Sequence, residues 1–177
     1  MAVSTGIFTL LLEVVELDRS QWRLVRKMRL AALCDAPHAF VNTWAAEWGL
    51  PREYWQDRFA DATWVAAVDG EASVGIARLA PSEPGAPQAP YVESVWVART
   101  HRWRGVLRKM MDHLEFQAVA QGATELRLWV LDTNETAGWA YQKLGFSPVV
   151  DAVQDTIKCT SDGMFVKEQL MSKPLLP

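Results

Sequence analysis

The 177-residue sequence is short of cysteine, of histidine and of net charge. Its 2 cysteines, Cys34 and Cys159, lie far apart with no metal-ligand spacing, so neither a zinc site nor a disulfide framework is expected. Reduced thiols are the first expectation, and a single long-range disulfide is the alternative. Lys and Arg total 18 against 21 Asp and Glu, a net charge of −3. That balance excludes a protein whose whole surface grips nucleic acid. No run approaches the ~18 apolar residues that a membrane span requires. The apolar start Ile7–Leu12 is broken at Glu13 with no basic segment before it, so it does not read as a signal peptide. These absences point to a soluble cytoplasmic protein with no metal and no membrane partner.

What is present is an ordinary globular composition, 50% hydrophobic and 22% charged, with an excess of tryptophan at 9 residues. At about 150 residues per domain, the length suits a single domain over 1–177. Ile7–Leu17 reads as a strand. Asp18 or Ser20 can cap a following helix, whose apolar residues Trp22, Val25, Met28, Leu30 and Leu33 recur near the 3.6 period until Pro37 stops it. Phe40–Phe59 carries helical patches, and Pro51 suits a first turn. Thr63–Val68 and Ala72–Leu79 flank Asp69-Gly70, the signature of a type I′ hairpin. A Pro-rich connector at Pro81–Pro90 leads to the apolar strand Tyr91–Val97. A helix at Arg104–Gln121, capped by Gly122, then leads to a strand at Leu126–Leu131. A helix at Asn134–Leu144 and strands at Phe146–Val150 and Met164–Met171 complete the order. The strand–helix–strand unit over residues 91–131 implies a parallel pair inside an otherwise antiparallel sheet. The expected fold class is α/β, one mixed sheet packed by helices.

The chemistry concentrates in Val97-Ala-Arg-Thr-His-Arg-Trp-Arg-Gly-Val-Leu-Arg-Lys109, which leaves a buried strand and enters a helix. Arg99, Arg102, Arg104, Arg108 and Lys109 stand there without one acid, in a chain that is acidic overall. A helix N-terminus offers free amides and partial positive charge, and Gly105 lets backbone approach a ligand closely. A polyphosphate fits this chemistry. A solvated basic face at a helix start fits it equally, and contact with nucleic acid is a weaker third reading.

This segment, together with Asn134-Glu-Thr-Ala-Gly-Trp-Ala-Tyr-Gln-Lys-Leu-Gly-Phe146, resembles the acyl-CoA core of the GCN5-related N-acetyltransferase (GNAT) superfamily. The family's Gln/Arg-x-x-Gly-x-Gly/Ala loop is matched by Arg102-Trp-Arg-Gly105-Val-Leu107, and its Tyr-x-x-x-Gly-Phe signature by Tyr141–Phe146. The helix ending Leu30-Ala-Ala-Leu-Cys-Asp-Ala-Pro-His-Ala-Phe40 is similar to many bacterial members. Leu107 departs from the pattern where Gly or Ala is usual, and Trp103 departs where a small residue is usual. Either change obstructs the loop, or the side chain of Leu107 points inward at little cost.

The resemblance implies a GNAT fold with a splayed parallel strand pair, acetyl-CoA as co-substrate, a primary amine as acceptor, and direct attack on the thioester. It places main-chain groups of Val95 and Val97 on the pantetheine and thioester. The amides of Trp103, Arg104, Gly105, Val106, Leu107 and Arg108, after Arg102, fall on the pyrophosphate, and Asn134 on the pantetheine arm. Tyr141 becomes the candidate general acid and Glu93 the candidate base. Each has a plain alternative: Asn134 as a helix cap, Tyr141 as a packing phenol, Glu93 as a solvated strand-end carboxylate. Phe40, Trp44 and Glu47 fall in the segment that covers the acceptor, beside Trp48, Tyr54 and Trp55, where aromatic faces and a carboxylate suit a cationic amine. Core packing is the alternative there. Trp22, Trp64, Trp129 and Trp139 read as core or interface. The acceptor expected is a small-molecule amine such as an antibiotic, polyamine or amino-acid derivative. A peptide acceptor or a non-catalytic acyl-CoA-binding module are the alternatives, and the family allows a homodimer.

Overall fold

Local sequence dictates the start of the first helical segment. The Asp18 side chain accepts the Ser20 amide at 2.7 Å, while the Asp18 amide donates to Gln21 Oε1 at 2.9 Å, closing a capping box. A computed structural model of the chain describes residues 12–82, 88–150, 156–159 and 165–175. Over these the elements are β1 (Leu12–Leu17), α1 (Trp22–Asp35), α2 (Trp44–Trp48), α3 (Arg52–Asp57), β2 (Thr63–Asp69), β3 (Ala72–Ala80) and β4 (Tyr91–Val97). There follow α4 (Val106–Ala120), β5 (Glu125–Leu131), α5 (Glu135–Lys143), β6 (Ser147–Pro148), β7 (Thr156–Cys159) and β8 (Phe165–Pro174). The beginning of the strand expected from Ile7, the middle of the Pro-rich connector and the side chain of Cys159 lie outside the described residues.

The strands form one mixed sheet in the order β1-β2-β3-β4-β5-β8-β6, with β7 also on β8. Every pairing is antiparallel except β4 with β5, as the strand–helix–strand unit implied. Period-2 alternation sends side chains to the two faces of the sheet. Val65, Ala67, Val92 and Leu128 pack beneath α4 with Met110, Met111 and Leu114, and Tyr141 and Phe146 join them. On the other face Trp64, Ala66 and Ile76 pack against Val25 and Met28 of α1 and Trp55 of α3. Helices therefore cover both faces, and the fold matches the α/β class expected.

Several boundaries differ from the sequence reading. Asp69 stays in its strand opposite Ala72, and only Gly70 of the two loop residues has positive φ, so the hairpin loop is Gly70-Glu71 and of the II′ kind. The region after α1 holds two short helices, with Pro51 as the N-cap of α3 rather than in its first turn. β7 was not expected from the pattern. Trp139 is 52% exposed, not core.

Candidate functional site

The site begins with a defect in β4. Ile76 faces Trp96 and Arg78 faces Glu93, so β4 spends one residue more than β3 across the same interval. That extra residue is a bulge, and Ser94 within it takes a left-handed φ of 54°. The Ser94 hydroxyl accepts from Arg58 at 3.2 Å, which anchors the bulge to the end of α3. Below the bulge β4 and β5 pair at Tyr91↔Arg127 and Val92↔Leu128; above it no further residue of the two strands pairs. The strands thus diverge, and backbone groups of Val95 and Val97 on the β5 side have no strand partner there.

The chain then passes through a 3-10 turn at Arg99–His101 into α4. Trp103 and Gly105 both have positive φ, 65° and 80°, and Gly105 is the N-cap. No side chain caps α4, so its first amides are left for solvent or a ligand. An added Cβ on Gly105 would meet nothing within 4 Å; the left-handed backbone, not crowding, is what calls for glycine.

Asp35 fastens this loop. Its carboxylate pairs with Arg102, with Arg99 at 3.3 Å and with the Trp96 indole at 3.0 Å, while Arg102 Nε donates to the Val97 carbonyl at 2.9 Å. Two of the five loop cations are thereby spent on Asp35. Lys109 donates to the Leu12 carbonyl at 3.0 Å and Arg108 to the Lys143 carbonyl at 3.3 Å. Arg104 is exposed and makes no hydrogen bond or ion pair with the described residues.

These elements enclose a cleft of about 440 Å³ between the β4 edge, the α4 N-terminus, α5 and the Ala36–Phe40 turn. It brings together eleven of the residues expected from the sequence: Phe40, Val95, Val97, Arg102, Trp103, Gly105, Val106, Leu107, Arg108, Asn134 and Tyr141. Arg108 and Lys143 line it beside the Asp35-paired Arg102, and no Asp or Glu does, so its charge favours an anion. Leu107 lines the cleft and also packs against the core beneath α4, so only part of its side chain faces the opening.

Tyr141 is 8% exposed and packs edge-on to Phe146 at 6.0 Å. Burial raises its phenol well above the ordinary value, so it stays protonated. Its hydroxyl makes no hydrogen bond to the described residues and is not sealed from solvent. Asn134 lines the same cleft while its Oδ1 accepts the Ala137 amide at 3.2 Å, so it serves at least as the cap of α5.

Four expected residues stand outside the lining. Glu93 is 46% exposed at its side chain and ion-paired to Arg78 at 2.6 Å. Arg104 points to solvent. Trp44 is 40% exposed and stacks on Trp48 at 5.6 Å. Glu47 is 1% exposed, held by Arg29 at 2.8 Å and Asn42 at 2.9 Å, so its carboxylate is not available to an acceptor. Burial pushes that carboxyl upward, but the Arg29 hydrogen bonds and charge outweigh it and hold the group below its ordinary range. The Arg29 guanidinium also lies over Phe40 at 4.6 Å, so Glu47 acts by fixing the turn that walls the cleft.

Asp35 was not singled out from the sequence. Its signal was there: a carboxylate in the last turn of a helix opposes the macrodipole, and such a residue calls for a cation from elsewhere.

A profile of the acetyltransferase (GNAT) family matches residues 22–146. No curated protein matches the chain in sequence. Among solved structures, a GNAT-family acetyltransferase of Streptococcus pneumoniae is 15% identical with a TM-score of 0.73, covering 94% of this chain and 100% of its own. The yncA protein of Salmonella typhimurium, solved with its cofactor acetyl-CoA, is 16% identical with a TM-score of 0.72 over 94% of this chain and 95% of its own. A GCN5-related N-acetyltransferase of Kribbella flavida is 22% identical with a TM-score of 0.69 over 93% and 98%. At these identities the likeness is one of fold.

Proposed function

The chain belongs to the acetyltransferase (GNAT) family, and from that membership we propose that it transfers an acetyl group from acetyl-CoA to a primary amine of a small molecule. The observation that carries the reading is the cleft itself, where diverging strands, an uncapped helix start and a buried phenol meet without a single carboxylate. These residues fit the co-substrate. Free amides at the start of α4, with Arg108 beside them, suit a pyrophosphate, and the edge of β4 at Val95 and Val97, which no strand pairs, suits the amides of a pantetheine arm. When bound, acetyl-CoA supplies an activated thioester.

The chain's own work is then positional and protonic. Val95 and Val97 hold the acyl carrier in line. Tyr141, protonated at neutral pH, gives its proton to the departing sulfur. Glu93 takes the proton that the ammonium must lose, through water, because its side chain does not line the cleft. As the amide forms, the nitrogen loses a second proton, which restores the Tyr141 phenol, while the proton on Glu93 passes to solvent; no protein-bound acyl group is needed. The stacked Trp44 and Trp48 beyond the Phe40 turn provide aromatic faces for a cationic amine. Asp35 and Glu47 act by positioning, the first on the basic loop and the second on the turn at Phe40.

Calorimetric titration with acetyl-CoA and with CoA tests the first half. Micromolar binding is expected, and absence of binding to millimolar concentration contradicts the reading. Release of thiol across a panel of small amines and amino-terminal peptides then tests the acceptor, with turnover of peptides alone overturning the small-molecule assignment.

A further inference from the structure

We infer that Trp103 and Trp139 form a stacking platform for the adenine of acetyl-CoA, with Arg104, Arg108 and Lys143 around it taking the 3′-phosphate. The inference rests on the acetyl-CoA reading and adds to it a recognition element that this chain builds from its own departures.

Trp103 is 74% exposed and Trp139 is 52% exposed, yet the two indoles meet at 6.0 Å, tilted by 60°, on the rim of the cleft. Stability does not explain them. Trp103 holds a left-handed φ of 65°, a conformation that costs a non-glycine residue of order 1 kcal/mol, and its side chain buries little in return. Large apolar surface left bare beside a cleft marks a contact for something else.

The charges nearby specify what that is. Lys143 Nζ lies 5.3 Å from the Trp139 ring, Arg108 reaches the Lys143 carbonyl, and Arg104 is free among the described residues. Two π-faces with Lys143 beside one of them, Arg108 on the same cleft lining and Arg104 next to Trp103 in sequence suit a flat heteroaromatic ring that carries phosphate. An adenosine 3′-phosphate has this chemistry, and the platform lies next to the uncapped start of α4, where the pyrophosphate is expected. The bulky residue at 103 thus becomes a gain on the nucleotide side.

The test compares acetyl-CoA, acetyl-dephospho-CoA and acetyl-4′-phosphopantetheine by calorimetry, with quenching of indole fluorescence as an independent readout. Wild-type protein should prefer acetyl-CoA to the phosphopantetheine ester and lose fluorescence only with the adenosine-bearing ligands. Trp139→Ala should weaken acetyl-CoA about tenfold or more, as loss of a base–aromatic stack does, and leave acetyl-4′-phosphopantetheine unchanged. Lys143→Gln should weaken acetyl-CoA more than acetyl-dephospho-CoA. Equal loss for all three ligands, or no loss, overturns the inference while leaving the acetyl-CoA reading intact. Wild-type protein that binds none of them overturns both. Trp139 is exposed, so its variant should fold, and the Lys143 arm stands if it does not.

Discussion

Asp35, at the end of α1, is ion-paired to Arg102, which opens the basic loop 67 positions further along the chain. The bond ties the helix on one face of the sheet to the loop that feeds the helix on the other. Asp35→Asn keeps the shape and removes the charge. Losing a charge-assisted partner of this kind is worth about 1.5–3 kcal/mol, and if half of it reaches the loop, acetyl-CoA affinity falls about three- to tenfold. Calorimetry of the variant checks this, and unaltered affinity would mean that the loop holds itself.

Tyr141→Phe should lower kcat by about a hundredfold or more, the usual yield of one positioned acid, with acetyl-CoA affinity unchanged. Equal loss of both would make the hydroxyl a binding group instead.

The same phenol has a thermodynamic signature. Its folded-state pKa is raised by burial, so its contribution to stability is intact below the ordinary phenol value near about 10 and is lost as pH rises beyond it, when the unfolded chain ionises first. Urea unfolding at pH 9 and pH 11 should show a drop for the wild type that is smaller in Tyr141→Phe.

Glu47→Gln leaves the buried Arg29 guanidinium without its countercharge and should cost about 3–5 kcal/mol, whereas Arg29→Met with Glu47→Leu should cost far less. Because the carboxyl is held below its ordinary value of 4.5, its stabilisation is present above that pH and fades as pH falls through the folded-state value. A thermal series from pH 6 down to pH 3 checks both statements.

Leu107→Gly should not improve acetyl-CoA binding. The side chain packs partly on the core, so its removal should destabilise the fold by about 1–3 kcal/mol through lost burial and helix propensity. Tightened binding in calorimetry would show instead that the side chain obstructs the loop.

Much of this architecture was legible in the residues because it is local. The period of α1 and α4, the glycine after α4 and the apolar run of β4 each follow from neighbours in sequence. Arg102–Leu107 and Tyr141–Phe146, which wall the cleft, were singled out through their resemblance to the GNAT family's motifs, since the local chemistry of the basic loop fitted a solvated face equally. What was not legible is what depends on distant partners. Glu47 looked like an acceptor contact until Arg29, on another helix, was seen to consume it. The charge of Arg102 was counted as available for a ligand, although Asp35 spends it. Trp139 read as core or interface, with neither singled out, because its hydrophobicity says nothing about which side of α5 faces the opening. β7 is short, and it exists because β8 offers it an edge.

The bulge at Ser94 has a mechanical side. Along the centre of the sheet β4 and β5 pair at two positions only among the described residues, with Gln88 and Pro90 just before β4 accepting the amides of Thr124, Glu125 and Arg127. The sheet is nearly two panels meeting at a slit. A slender guest lying along that slit would bond to the exposed rim as an extra rung, and the weakest line of the fold would become its best-braced one. The Val95 and Val97 amide hydrogens should then exchange faster than those of Tyr91 and Val92 in the empty protein and slow when the slit is filled.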